Sequence, residues 1–177
     1  MLPAFAGRMT HWRLVTDPAA PDIDSHVGVL LRYAQQRALR NLTEAIRGSG
    51  LTPMQVSVLA RLTERGPTTQ NKLGRSLAME PANVHDVVQR LHRRRLVALD
   101  PDPADRRAVR VSLTASGRAL LGEVWPQAEA ANQRTLAPLS AAQRETLTAL
   151  LHALVAPEEA QADAPGSSPD GFVTRPV

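Results

Sequence analysis

Cysteine is absent from this 177-residue chain. Its absence excludes disulfide staples, cysteine-ligated zinc, a thiol nucleophile and any sensor that works by oxidising a thiol. Long apolar runs are also missing: none approaches the ~20 residues that span a bilayer. The opening MLPAFAGR is interrupted by Gly7 and Arg8 before it could form a signal peptide. The expectation is a cytoplasmic protein with no membrane partner. Lysine is nearly lacking; Lys72 is the only one and every other basic residue of that pair is arginine. Beside so much Ala and Pro, that bias matches GC-rich coding and says little about arginine-specific chemistry. A net charge of +4 is compatible with a polyanionic partner without demanding one.

The signatures of common catalysts are missing as well. There is no Gly-x-Ser-x-Gly elbow, phosphate loop, dinucleotide glycine pattern, or close set of His, carboxylate and nucleophile. Neither an enzyme nor a cofactor is expected. Five histidines, His11, His26, His85, His92 and His152, are scattered. His85 and His92 share one helix side but lie two turns apart, too far to share a metal, so no metal site is expected.

What is present is a clear succession of elements. Residues 1–21 hold three prolines and no sustained periodicity, and read as an arm. Apolar residues then recur at Ile23, Val27, Leu30/Leu31, Ala34, Ala38, Leu42 and Ile46, one face of a long helix over 22–48. Gly48-Ser49-Gly50 closes it. Thr52-Pro53-Met54-Gln55 reads as a helix start: Thr52 caps, Pro53 suits the first turn and Gln55 completes a capping box. That second helix should stop before Gly66-Pro67. A short third helix follows Thr68-Thr69, running from Gln70 to Leu77. The turn Ala78-Met79-Glu80 separates it from a fourth helix that opens at Pro81.

The fourth helix is the informative one. Val84, Val87, Val88 and Leu91 fall on one face by the i, i+3, i+4, i+7 rule. The opposite face carries Ala82, Asn83, Asp86, Gln89, Arg90 and Arg93, all small, polar or basic. Two strands follow, Val97–Asp100 and Ala108–Ser112, joined by the loop Pro101–Arg107. In the second strand Val109, Val111 and Leu113 point one way and Arg110 and Ser112 the other. Thr114 then starts a fifth helix, bent or broken at Pro126. A capping box at Ser140…Gln143 starts a sixth, with Leu147, Leu150, Leu151 and Leu154 on one stripe. Residues 114–156 thus form two helices, and 157–177 read as a disordered tail.

Helix, helix, turn, helix and hairpin is the order of a winged helix-turn-helix over residues 51–113. The fold class expected is mainly α with a small β-hairpin (α+β), a winged lobe joined to a helical dimerisation layer. A helix ~10–12 Å across fits the major groove of B-DNA, and its early residues reach base edges. The partner expected is therefore double-stranded DNA carrying a pseudo-palindromic operator. Asn83, Gln89, Arg90 and Arg93 are candidate base readers, with Ala82 and Asp86 on the same face. Asp86 either accepts from cytosine or, more simply, pairs with Arg90. Lys72 and Arg75 suit phosphate contacts. The loop becomes the wing, with Arg106 and Arg107 available for the neighbouring minor groove. Asp105 beside them makes sense if its carboxylate pairs with an arginine and aims the guanidinium. A winged helix that binds protein instead of DNA is the alternative, and it is disfavoured by the basic residues kept on both helix and wing.

The chain also resembles a known family. The run LTPMQVSVL from Leu51, QNKLGR from Gln70, PANV from Pro81, VVQRLHRRRLV from Val87, and DRR followed by LTASG between Asp105 and Gly117 look like the MarR family of bacterial regulators. The likeness covers about residues 24–155. It implies that Arg107 is the minor-groove arginine with Asp105 as its partner, and that helices one, five and six form a homodimer. It also implies a repressor released by a small aromatic or phenolic effector. Two positions depart from the pattern. Glu80 stands where Asp often caps the recognition helix, so that the helix start should be weakly capped. Arg95 stands where Gly is favoured; a positive φ would strain arginine, so the helix is expected to end differently. LLRYAQQR from Leu30 and AMEPA from Ala78 resemble members that control aromatic-acid breakdown, some through CoA thioesters. By that likeness Arg32 and Arg37 offer cationic donors to a carboxylate or phosphate of the effector. His26 and Tyr33, seven apart on one face of the first helix, either line a ligand cavity with them or, more simply, pack that helix. Trp12 matches instead the tryptophan of a urate-sensing subgroup, and completes the candidate pocket on that likeness alone. That subgroup fits less well, since its ligand-contacting acid and base appear here as Ser57 and Asp86.

Overall fold

The computed structural model describes residues 22–105 and 107–162. The arm at 1–21 with Trp12, the wing residue Arg106 and the segment 163–177 lie outside the described residues. The chain divides into two compact units, Met1–Arg37 and Ala38–Val177.

In the first unit a short 3-10 turn, Ile23–Ser25, precedes helix α1, Val27–Ala45, which continues into the second unit. The single helix expected over 22–48 is therefore interrupted before Val27. The Ser25 hydroxyl donates to the Asp22 carbonyl at 2.9 Å, a local bond that competes with helix propagation, and His26 is extended. The Arg32 guanidinium lies 5.9 Å from the centroid of the Tyr33 ring, within reach of a cation–π contact.

The second unit holds the remaining elements. Helix α2 spans Pro53–Arg65, β1 Thr68–Thr69, α3 Gln70–Ser76, α4 Pro81–Arg93, β2 Val97–Pro101, β3 Val109–Leu113, α5 Ala115–Leu136 and α6 Ala141–Ala162. Starts follow the caps. Thr52 and Gln55 complete the capping box of α2, and Ser140 and Gln143 exchange the same pair of bonds before α6. Pro126 lies inside α5 without ending it, so the helix is not broken there. Helix α6 runs on to Ala162, past the start of the segment read as a tail.

The expected hairpin is part of a larger sheet. Its strand order is β1-β3-β2, with Thr68 opposite Val111 and Thr69 opposite Arg110. The two threonines read as a helix approach pair with β3 before Thr69 caps α3. Val111 in the central strand is completely buried, while Val109 near the tip is 41% exposed. One core joins α2, α3, α4 and the sheet through Leu59, Leu62, Leu73, Val88, Leu91 and Val97. Burying such side chains contributes about 1.5–3 kcal/mol each, which holds α4 against the lobe through its apolar face.

The Leu113-Thr114-x-x-Gly117 pattern has a physical reason. The Thr114 hydroxyl accepts the N–H of Gly117 at 3.0 Å and donates toward the carbonyls of Arg95, at 2.8 Å, and Leu96, at 3.0 Å. The cap of α5 is thereby fastened to the turn after α4. A Cβ on Gly117 would run into the Leu96 carbonyl and lie 2.9 Å from Leu113 Cδ1, so only glycine allows this approach.

Candidate nucleic-acid interface

The path from α3 to α4 sets the position of α4. Helix α3 ends in a Schellman motif: Ala78 N–H donates to Arg75 O at 3.2 Å and Met79 N–H to Gly74 O at 2.9 Å. Ala78 takes the left-handed position at φ 49° without being glycine. A Cβ on Gly74 would lie 2.6 Å from Val84 Cγ2, so the glycine brings α3 and α4 into close contact. Glu80 caps α4 with its backbone alone; its side chain accepts no bond from the first turn, as expected of a weak cap.

Helix α4 divides cleanly between two faces. Val84, Val88 and Leu91 are at most 2% exposed, and Val87 is half-buried. On the other side Ala82, Asn83, Asp86, Arg90 and Arg93 are exposed and Gln89 is half-buried. All six polar-face candidates thus fall on one side of α4, and Lys72 and Arg75 of α3 are exposed as well. Arg90 Nη2 lies 3.7 Å from Asp86 Oδ2, an i,i+4 pair. Asp86 is therefore engaged with its neighbour, the simpler of its two readings.

The wing departs from the expected chemistry at one carboxylate. Asp105 Oδ1 accepts the backbone N–H of Arg107 at 2.9 Å. Among the described residues no ion pair joins Asp105 to Arg107. In the free chain the acid thus shapes the backbone at Arg107. Geometry explains this: an Asp side chain two residues back reaches the main chain in an Asx-type turn more readily than the end of a long side chain. Asp105 and Arg107 are both exposed. Sequence reasoning missed Asp102, whose Oδ1 accepts from Ala104 N–H at 3.0 Å and Asp105 N–H at 3.2 Å. A proline-flanked Asp at the first position of a glycine-free loop was the available signal.

The end of α4 carries a correction. The helix does not end differently for lack of glycine. Leu96 N–H donates to Leu91 O at 3.0 Å and Arg95 N–H to His92 O at 2.8 Å, a full Schellman motif with Arg95 at φ 58°. Burial of Leu96 and Val97 directly after the turn outweighs the local strain of about 1–2 kcal/mol. His92 Nδ1 sits 3.1 Å from the Val97 carbonyl and joins the helix end to β2.

Comparisons agree with this geometry. A family model described as MarR family matches residues 49–108. The transcriptional repressor NicR of Pseudomonas putida is 36% identical over 138 residues, covering 78% of this chain and 87% of NicR.

The chain belongs to the MarR family.

A crystal structure of a probable transcriptional regulator from Pseudomonas aeruginosa is 44% identical, with a TM-score of 0.69, over 74% of this chain and 98% of that one. The structure of Bordetella bronchiseptica BpsR, described in terms of regulation of its DNA binding by 6-hydroxynicotinic acid, is 40% identical with a TM-score of 0.68. It covers 72% of this chain and 97% of its own. As a MarR-family member the protein is a winged helix-turn-helix, DNA-binding transcriptional regulator and not an enzyme. Among the described residues no helix is long and apolar enough to cross a membrane.

The sequence-predicted ligand residues are not gathered into one described site. His26, Arg32, Tyr33 and Arg37 belong to the first unit, and Trp12 lies outside the described residues. The second unit instead contains a crevice between α2 and α5. One part, of about 410 Å³, is lined by Leu42, Val56, Ala60, Trp125, Ala128 and Asn132 among others. The adjoining part, of about 750 Å³, is walled by Thr63, Arg118, Leu121, Trp125 and Pro126. Trp125 is common to both and is 49% exposed. Only the packing of distant helices creates this crevice, so no sequence motif announces it.

Proposed function

We propose that this MarR-family regulator is a cytoplasmic repressor that binds a pseudo-palindromic operator as a homodimer and is released by a small aromatic acid. The observation that carries the DNA-reading role is the division of α4. Val84, Val88 and Leu91 of its apolar face are buried in the lobe's core, leaving the polar side from Ala82 to Arg93 accessible. In this reading Asn83, Gln89, Arg90 and Arg93 meet base edges in the major groove beside Ala82, with Asp86 orienting Arg90. Lys72 and Arg75 contact phosphates, and Asp105, Arg106 and Arg107 form the wing tip that enters the minor groove. Helix α6 supports self-association: Leu147, Leu150, Leu151, Leu154 and Val155 are between 36% and 63% exposed in one chain. An apolar stripe of that kind marks an interface. Domain roles follow: 22–48 and 114–156 associate, 51–113 reads DNA.

The effector reading draws on two relatives, the repressor NicR and the 6-hydroxynicotinic-acid-regulated BpsR. The crevice between α2 and α5 offers an aromatic wall at Trp125 and a cation at Arg118, suited to a flat anion. The test is footprinting on DNA upstream of the protein's own gene, with and without 6-hydroxynicotinic acid, other aromatic acids and their CoA thioesters. Protection of an inverted repeat that is lost on adding one such acid is the expected result. Protection of no specific sequence refutes the operator reading. Protection insensitive to every acid refutes the effector reading alone.

A further inference from the structure

The wing loop from Asp102 to Ala108 contains no glycine, so its reversal cannot rest on glycine's freedom to adopt positive φ. Side chains must set its path. Two aspartates do so in succession. Asp102 Oδ1 accepts the N–H groups of Ala104 and Asp105, at 3.0 and 3.2 Å. Asp105 Oδ1 then accepts the N–H of Arg107 at 2.9 Å. The main chain closes the loop twice more, with Asp102 N–H on Ala108 O at 2.9 Å and Ala108 N–H on Asp105 O at 2.8 Å. The second oxygen of Asp102 faces Arg110 Nη1 at 4.0 Å, and the Asp102 side chain is only 13% exposed. Arg110 stands opposite Asp100 in the β2–β3 register, which places it beside this loop.

We propose that Asp102 is the positioning residue for Arg107. Its carboxylate fixes the Asp105 backbone, and Asp105 in turn fixes the Arg107 backbone, so the direction in which the arginine leaves the loop is set five positions upstream. The ion pair with Arg110 seats Asp102 and keeps that guanidinium at the hairpin. This rests on the reading of Arg107 as a DNA contact. It adds a dependence on a residue that itself touches no nucleic acid. Charged acceptors form stronger bonds to backbone N–H groups than neutral ones, and two N–H donors with one ion-pair partner offset the cost of holding a carboxylate this far from water.

The experiment is a double-mutant cycle in gel-shift titrations of the full chain on its operator, with Asp102→Ala, Asp102→Asn, Arg107→Ala and the Asp102→Ala/Arg107→Ala pair. Asp102→Ala is expected to weaken binding about tenfold in the wild-type background and less than about twofold when Arg107 is already removed. Asp102→Asn keeps the Oδ1 acceptor and is expected to restore binding to within about threefold. An Asp102→Ala effect that is absent, or equally large in both backgrounds, overturns the proposal. If Arg107→Ala binds like the wild type, the wing reading itself fails. Amide hydrogen exchange without DNA provides a second readout. Asp102→Ala should accelerate exchange at Ala104, Asp105 and Arg107, whereas Asp105→Ala should accelerate it at Arg107 and spare Ala104. Unchanged exchange at Arg107 in Asp102→Ala would break the chain of dependence.

Discussion

The Arg94 guanidinium donates through Nη1 to the carbonyl of Gly50 at 2.7 Å, joining residues 44 positions apart. Gly50 holds a left-handed conformation at φ 66°, between α1 and α2. Arg94 is the C-cap residue of α4. The end of α4 is thus tied to the junction before α2. Of three consecutive arginines, one is committed to the protein's own backbone.

Arg94→Ala should therefore behave unlike the loss of a phosphate contact. The bond is exposed, so we expect a stability loss of about 0.5–1.5 kcal/mol. The slope of log affinity against log salt should stay unchanged. Lys72→Ala should leave the melting temperature in place and lower that slope by about one unit, on specific and non-specific DNA alike. Salt titrations of both variants separate the two roles.

Arg95→Gly should stabilise the lobe. Arginine at φ 58° sustains a local penalty that glycine avoids, offset in part by glycine's larger unfolded-state entropy. A net gain of about 1 kcal/mol corresponds to a rise of about 2–4 °C in melting temperature for a chain this size. A lower melting temperature would mean that the Arg95 side chain makes a contribution larger than its strain.

Gly117→Ala should act in the opposite direction. The added methyl meets the Leu96 carbonyl and the Leu113 side chain, and neither can retreat without disturbing the Thr114 cap. A loss of about 1–3 kcal/mol is expected, as for overpacked cores, measurable by urea denaturation. Gly122→Ala, with nothing within 4 Å of the added carbon, is the control and should be neutral or slightly stabilising.

Leu150→Glu combined with Leu154→Glu tests the association surface. Both side chains are more than half exposed in one chain, so the folded subunit should tolerate the change. Sedimentation should then report a monomer. Operator affinity should fall by at least about a hundredfold, because two half-sites are no longer engaged together. A dimer that persists would move the interface elsewhere.

Much of this was legible in the residues, for reasons that are local. Thr52 with Gln55, Thr114 with Gly117 and Ser140 with Gln143 announce helix starts because a cap is completed within four positions. The two faces of α4 are readable because periodicity alone separates Val84, Val88 and Leu91 from Asn83, Asp86 and Arg90. Other features depended on partners far along the chain. Thr68–Thr69 becomes a strand only because β3 presents a free edge to it. Arg95 adopts the left-handed turn because Leu96 and Val97 must enter the core. That Asp105 bonds the backbone N–H of Arg107 is a matter of ångströms, and spacing cannot express it.

The three-stranded sheet has outer strands that resist further pairing. β1 is two residues long, and β2 ends in Asp100 and Pro101, the proline offering no N–H to a newcomer. Neither edge presents a long run of free donors and acceptors. Regulators crowded on neighbouring operator sites, or newly synthesised at high local concentration, would thus find no template for strand-by-strand aggregation at the wing. A hairpin whose tip is solvent-exposed is kept soluble by the shortness and composition of its own margins.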